Sequence, residues 1–428
     1  MAHRDGFGRE ELRFGHIGFR SGFLRFRVPP GRRPGERGTF QRSRQPYPAP
    51  PARYACSVAK RSRSKKGLTY AEAGVSIEAG DDAAKRYRAL MRRTYGPRVI
   101  LNDGGFAGKF RLDFNEQLFK KNYRDPVLVS CADGVGSKVL LAKELDVHDT
   151  VGIDLVAMNV NDLVVEGAEP LFFLDYVGVH RVVPETAEQI VAGVATGCEI
   201  AGCALLGGET AELPEVYAEG EYDLAGFAVG VVELRRATNH ERVEPGDVVL
   251  GLASDGVHSN GYTLVRSIIR HAKLDLTTPL RELAGSPGFE DDDRPTLGQV
   301  LMTPTRIYAG SIVRLDRAYK VKRPITGMAH ITGGGLEGNL NRALHDGVDA
   351  VVDTKAWTPP PVFDYLRKKG GVDRGEMFRV FNMGIGFTLI VRPAFADSIA
   401  ARLTRLGEQV SVIGKITKGR GSVKLRHS

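Results

Sequence analysis

The chain has 428 residues, 42% hydrophobic and 26% charged, with 51 glycines and 4 cysteines. Length and composition exclude a disordered or fibrous protein and leave room for two or three domains. The best apolar run, residues 225–232, has strand length, which rules out a membrane-spanning helix. Cys56, Cys131, Cys198 and Cys203 lack any CxxC spacing. That argues against a disulfide framework or a zinc site and favours a reducing cytosol.

The net charge of +9 has an uneven origin. Residues 1–66 carry 17 basic and 4 acidic side chains; the remainder carries 43 and 47, a mildly acidic body. Rich in Arg, Gly and Pro and without helical or strand period, residues 1–66 read as a disordered basic extension outside the fold. A nucleic-acid tether and an organellar transit peptide are the alternatives, the latter opposed by Asp5, Glu10 and Glu11. The acidic body argues against nucleic acid as a partner.

From residue 67 strands and helices alternate. Residues 126–132 (PVLVSCA) predict a buried strand, 149–166 a helix, 171–176 a strand, and 184–201 a helix opened by Pro184. Short strands follow at 203–207 and 224–234. The texture turns polar at 235–246, which places a boundary near Leu234: one domain over 67–234, a second over 235–428. The second repeats the style, with a strand at 247–253, a helix at 261–272 and a polar loop through 290–293. Two α+β domains are expected.

Three clusters carry chemistry in the first domain. Asp133-Gly134-Val135-Gly136-Ser137-Lys138 follows a strand directly. A carboxylate there suits Mg2+, glycines admit a phosphate, and Lys138 offers it a point charge. On the 149–166 helix, Asp154, Met158 and Asp162 share one stripe, so carboxylates sit among apolar residues, where they are costly unless paired or metal-bound. The third cluster is Gly207-Gly208-Glu209-Thr210-Ala211-Glu212. Asp133, Asp162 and Glu209 together would form a magnesium cage for a nucleotide, with Asp175 a weaker candidate. In the second domain, residues 254–261 (SDGVHSNG) offer hydroxyl, amide and imidazole groups before a helix, and residues 330–335 (HITGGG) form a glycine nest suited to a phosphate. For His258 a capping or packing role stands beside the functional one.

Taken in order, these residues resemble the phosphoribosylformylglycinamidine cyclo-ligases, the AIR synthetases of purine biosynthesis. The resemblance runs from about Thr69 to the C-terminus. It is carried by residues 70–75 (YAEAGV), 104–106 (GGF), 133–138, 152–158 (GIDLVAM), 161–165 (NDLVV), 167–170 (GAEP) and 207–212, and by 258–262 (HSNGY), 304–308 (PTRIY), 330–335 and 381–384 (FNMG). The resemblance implies an AIR-synthetase-like fold in two domains, an ATP-binding N-terminal one and a C-terminal α/β sandwich. It also implies a homodimer whose N-terminal sheets pair into a barrel-like core. It implies ATP- and Mg2+-dependent closure of formylglycinamidine ribonucleotide (FGAM) to 5-aminoimidazole ribonucleotide (AIR), with release of ADP and phosphate.

Carried onto this chain, Gly104, Gly105 and Phe106 would cover the nucleotide, with Asp133, Gly134, Gly136, Lys138, Asn161 and Asp162 around its phosphates. Asp133, Asp162 and Glu209 would be metal ligands. Lys138 and His258 would act in catalysis, and Ser259, Asn260, Thr332, Gly333 and Gly334 would hold the substrate. Asp255, Glu215, Gly338 and Asn341 depart from the pattern that many relatives show. A selenophosphate synthetase would need a reactive Cys near 104–108, where none stands. A thiamine-monophosphate kinase would not be expected to carry the 70–75 and 258–262 patterns.

Overall fold

The computed structural model describes residues 76–101, 107–115, 120–121, 123–319 and 321–427. All of them fall within one compact unit, residues 66–428. The basic extension and the 70–75 and 104–106 motifs lie outside the described residues.

The first layer pair begins with helix α1 (Ile77–Arg93), capped by the Ser76 hydroxyl, which accepts from the Ala79 N–H. A four-stranded sheet follows, built from β1 (Pro126–Gly134), β2 (Glu169–Val179), β3 (Ala204–Glu212) and β4 (Tyr222–Glu233). Its order is β1-β4-β2-β3, antiparallel except for the β2–β3 pair. Helices α2 (Lys138–Leu145), α3 (Asp149–Val165) and α4 (Pro184–Ala201) complete the layer. α3 is apolar on nearly every side because it is buried between this sheet, α4 and the second domain. A glycine pair lets α3 and α4 cross closely: a Cβ on Gly193 would stand 1.8 Å from the Asp149 carbonyl oxygen, and one on Gly152 2.3 Å from that of Ile190.

The second domain is a six-stranded mixed sheet covered by helices. Its strands are β5 (Val248–Ala253), β6 (Ile325–His330), β7 (Val348–Asp353), β8 (Ile385–Val391), β9 (Val410–Lys418) and β10 (Val423–Arg426), ordered β6-β8-β5-β9-β7-β10. β8 is buried along its whole length, in keeping with its run IGFTLIV, apolar but for Thr388. Helix α5 (Tyr262–Ala272) follows the SDGVHSNG loop. The chain is thus a two-domain α+β protein, and one apolar cluster runs through both domains, joining Leu155 and Phe173 to Leu252 and Phe387.

The four-stranded sheet has one face on α3, and the other is largely uncovered among the described residues. On that open face Leu128 is 61% and Phe227 44% exposed, next to the half-buried Phe172, Leu174 and Tyr176. Large apolar side chains gathered on an open sheet face mark an interaction surface.

Candidate active site

Three elements converge on one point between the domains. β1 carries Asp133 just before its last residue, the last turn of α3 presents Asp162, and β6 ends on His330. His330 Nδ1 lies 2.9 Å from Asp162 Oδ1; the imidazole is buried while the carboxylate is 42% exposed. Burial raises the Asp133 carboxyl above the usual range, the Gly134 N–H at 2.7 Å draws it back, and the neighbouring Asp162 charge raises it again. Two like-charged oxygen donors at one place fit a hard divalent cation. Mg2+ in nucleotide sites is commonly held by only one or two carboxylates, with phosphates and waters filling its shell.

Glu209 does not complete a three-carboxylate cage. Across the sheet Asp133, Gly226, Asp175 and Gly208 form one row, so their side-chain directions share the α3 face. Glu209 is the next residue along β3 and pairs with Tyr176, so it points to the opposite face. Among the described residues no group of three or more His, Cys, Asp or Glu is placed to hold a metal. The sequence showed a carboxylate after a strand but not the strand register.

Lys138 is a second correction. Its ammonium is fully buried, 2.7 Å from Asp154 Oδ2, and donates to the Thr303 carbonyl (2.7 Å) and the His258 carbonyl (3.1 Å). All three of its donors are committed, so it offers no charge to a phosphate. Burial lowers the lysine and raises the aspartate, and their attraction opposes both shifts. Asp154 Oδ1 accepts from the Thr305 N–H (2.7 Å) and hydroxyl (2.6 Å). The stripe that suggested two ligand carboxylates thus contains one ligand candidate and one half of an ion pair.

Asn161 is likewise occupied. Its amide donates to the Arg306 carbonyl (2.9 Å) and accepts from the Tyr308 N–H (2.9 Å), and it is fully buried. It ties α3 to the PTRIY loop and is not open to a nucleotide. His258 takes the packing reading: at φ +66 and buried, its Nε2 accepts from the Asp255 N–H at 3.0 Å. Burial, first, and then the charges of Lys138 and Arg306 among its neighbours hold it well below the usual histidine range, so it is neutral. A buried neutral ring with a backbone N–H on Nε2 sets the loop's shape and is a poor proton carrier. Ser259 donates to the Val135 carbonyl (2.7 Å), a further tie between the domains.

The residues left open surround the carboxylate pair from both sides. Gly136 is exposed at φ +75 beside Gly134, while half-buried Asn260 and Thr332 and exposed Gly333 and Gly334 come from the second domain. Asn339 fixes the last group, its amide donating to the carbonyls of Thr332 (3.3 Å), Gly333 (3.2 Å) and Gly335 (2.8 Å). Asp255 is balanced by Arg306 at 3.2 Å, which also grips Glu408 at 2.8 Å.

A cavity of about 930 Å³ opens beneath α1, lined by Tyr87, Met91, Val191 and Leu174 with Asp175 and Thr210 as polar groups. Burial pushes the Asp175 carboxyl up to about 7. No local pattern signals this cavity, because α1 is placed against α4 and β3 by tertiary packing.

Known proteins share the family and the fold. Residues 122–232 match the AIR synthase related protein N-terminal domain family and residues 244–426 its C-terminal domain family. The chain is 49% identical over 357 residues to a phosphoribosylformylglycinamidine cyclo-ligase of Paraburkholderia phymatum, covering 83% of this chain and 94% of that one. It is also 49% identical over 361 residues to one of Burkholderia pseudomallei, covering 84% and 96%. Among solved structures it resembles the thiamine-monophosphate kinase of Stenotrophomonas maltophilia (TM-score 0.56, 20% identity, 80% of this chain and 95% of that one). It also resembles HypE, a hydrogenase maturation protein of E. coli (TM-score 0.52, 15% identity, 80% and 93%). At such identities the structural likeness speaks for the fold alone.

Proposed function

The chain belongs to the phosphoribosylformylglycinamidine cyclo-ligase family, and we propose that it closes FGAM to AIR with ATP, releasing ADP and phosphate. The observation that carries this reading is the Asp133–Asp162 pair, held against His330 at the mouth of glycine-rich loops from the other domain. An amide-type oxygen leaves poorly, so transfer of the γ-phosphoryl group to it must precede attack by the ring nitrogen. The carbon–nitrogen bond then forms as the carbon–oxygen bond breaks and phosphate departs. Such chemistry rests on positioning and on spreading phosphate charge.

Asp133 and Asp162 are the residues that would hold Mg2+, which neutralises phosphate charge when bound. His330 orients the Asp162 carboxylate. Gly134 and Gly136 leave space for nucleotide phosphates, and Asn260, Thr332, Gly333 and Gly334 face them as substrate contacts. Lys138, Asn161, His258 and Ser259 keep the two walls of the cleft in place. No helix of the described residues is long and apolar enough to cross a membrane. Cys131, Cys198 and Cys203 are free thiols, which supports a cytosolic setting.

The test is ADP release by the full chain with Mg-ATP. FGAM-dependent ADP, matched by AIR, is the expected outcome; ADP released with thiamine phosphate but not FGAM would overturn it. The open sheet face supports a homodimer, with Leu128 and Phe227 of two copies packed together. Wild-type protein is expected to sediment as a dimer and Phe227→Asp as a monomer, because a buried unpaired charge at such a contact costs several kcal/mol, roughly. An unchanged dimer in the variant would place the contact elsewhere.

A further inference from the structure

We propose that the junction between the two domains carries a binding site for a small oxyanion, inorganic phosphate, gripped by Arg242 and Arg323. The site is a small cavity between the segment 236–242 that links the domains, the helix Ala309–Ala318 and the start of β6. Arg236, Arg242 and Arg323 line it together with Asp316. All three arginines are half-buried, and Asp316 is the one acid among the described residues that line the cavity. The room open to the centre of a water molecule is about 30 Å³, enough for a compact ion and too little for a nucleoside. None of these residues belongs to the Asp133–Asp162 cleft, so the site stands apart from the reaction.

The charges around the cavity do not balance. Arg236 is matched by Asp316, at 2.6 Å and 3.1 Å. Glu244 and Asp247 are held by Arg392, at 2.7 and 3.0 Å. Arg242 and Arg323 have no ion pair among the described residues. Each donates to two backbone carbonyls instead, Arg242 to those of Ile325 (3.2 Å) and Arg323 (2.5 Å), and Arg323 to those of Arg235 and Ala237 (2.8 Å). A guanidinium has five N–H groups, so both forks keep donors for a further acceptor. Burial and then the Arg392 charge lower Arg242; burial and then the Arg242 and Arg236 charges lower Arg323. Guanidiniums crowded into a half-buried pocket repel one another, and an anion between them relieves that repulsion while accepting from their free N–H groups. A tetrahedral oxyanion offers several acceptor oxygens to such forks, which a single chloride does not. The ion would also fasten the linker. Arg242 comes from the linker and Arg323 from the segment before β6, while Thr238 between them in space donates to the Val165 carbonyl at the end of α3 (2.6 Å).

The experiment follows the thermal unfolding midpoint of the full chain as inorganic phosphate rises at constant ionic strength. Chloride makes up the balance, Mg-ATP fills the cleft and FGAM is left out. A ligand that binds the folded state alone raises the midpoint, so a rise with phosphate is expected in the wild type. In Arg242→Gln and Arg323→Gln the phosphate needed for the same rise is expected to increase about tenfold or more, the loss typical of a hydrogen bond to a charged group. Asp316→Asn is expected to act in the opposite direction and lower that requirement by about three- to tenfold, because the one acid lining the cavity loses its charge. Arginines that only brace the linker would give no such gain. AMP in place of phosphate is expected to give no rise, since its nucleoside does not fit the cavity. No rise in the wild type beyond that with chloride, or a rise equally strong in both arginine variants, would overturn the proposal. Should both arginine variants fail to fold, Asp316→Asn decides alone, and an unchanged or weakened response there would overturn it. An equal response to AMP would overturn the assignment to a free ion.

Discussion

Lys138→Met is expected to lower the unfolding free energy by about 3–5 kcal/mol, because it leaves the Asp154 carboxylate buried and unpaired. Against a total stability of roughly 5–15 kcal/mol this is a large fraction, and a urea titration would show it as an earlier midpoint. The loss has three parts: the 2.7 Å ion pair, the bond to the Thr303 carbonyl and the bond to the His258 carbonyl. The ion pair alone is replaceable. Buried pairs exchanged for well-packed apolar residues are often neutral or stabilising, so Asp154→Leu added to Lys138→Met is expected to recover much of the midpoint. That double variant also decides what Lys138 does. If its charge met a phosphate, the refolded double variant would be inert. Since its ammonium faces inward, measurable FGAM-dependent turnover is expected, weakened because the His258 loop has lost its anchor.

The sequence made the main elements legible because their patterns are local. Residues 126–132 showed a strand and the chain forms Pro126–Gly134; the helix expected over 184–201 is Pro184–Ala201, opened by proline as anticipated. Strand ends were less legible: 203–207 covers only the first part of the longer Ala204–Glu212, whose extension is held by pairing with β2. Asp133 and Asp162 could be picked out as candidates because each breaks an apolar context. Glu209 could not be excluded in the same way, since one residue of register turns a side chain to the other face of a sheet. Lys138 is ambiguous for a related reason: a lysine after a glycine turn looks alike whether it faces a ligand or a carboxylate from the next helix. His330 as the partner of Asp162 is a contact between domains 168 residues apart in sequence, beyond any local pattern.

Asp162→Asn is expected to cost the most activity for the least structure. The side chain is 42% exposed at the end of α3, and its recorded side-chain partner is His330 Nδ1 at 2.9 Å, so an isosteric amide keeps the contact and the fold. What disappears is half of the charge at the carboxylate pair, in a reaction whose barrier is set by phosphate charge. Loss of one fixed electrostatic contact to a transition state typically lowers kcat by about 10²- to 10³-fold, and a drop of that order in FGAM-dependent ADP release is expected. The same change should raise the Mg2+ concentration needed for half-maximal rate, while the unfolding free energy from a urea titration stays within about 0.5 kcal/mol of wild type, as for a partly exposed substitution. His330→Gln separates holding the carboxylate from supplying it. The loss there is expected to be smaller, since Asp162 keeps its charge and only its orientation loosens. Equal losses in the two variants would mean that the imidazole contributes as much as the carboxylate, and the assignment of Asp162 as the principal ligand would have to be given up.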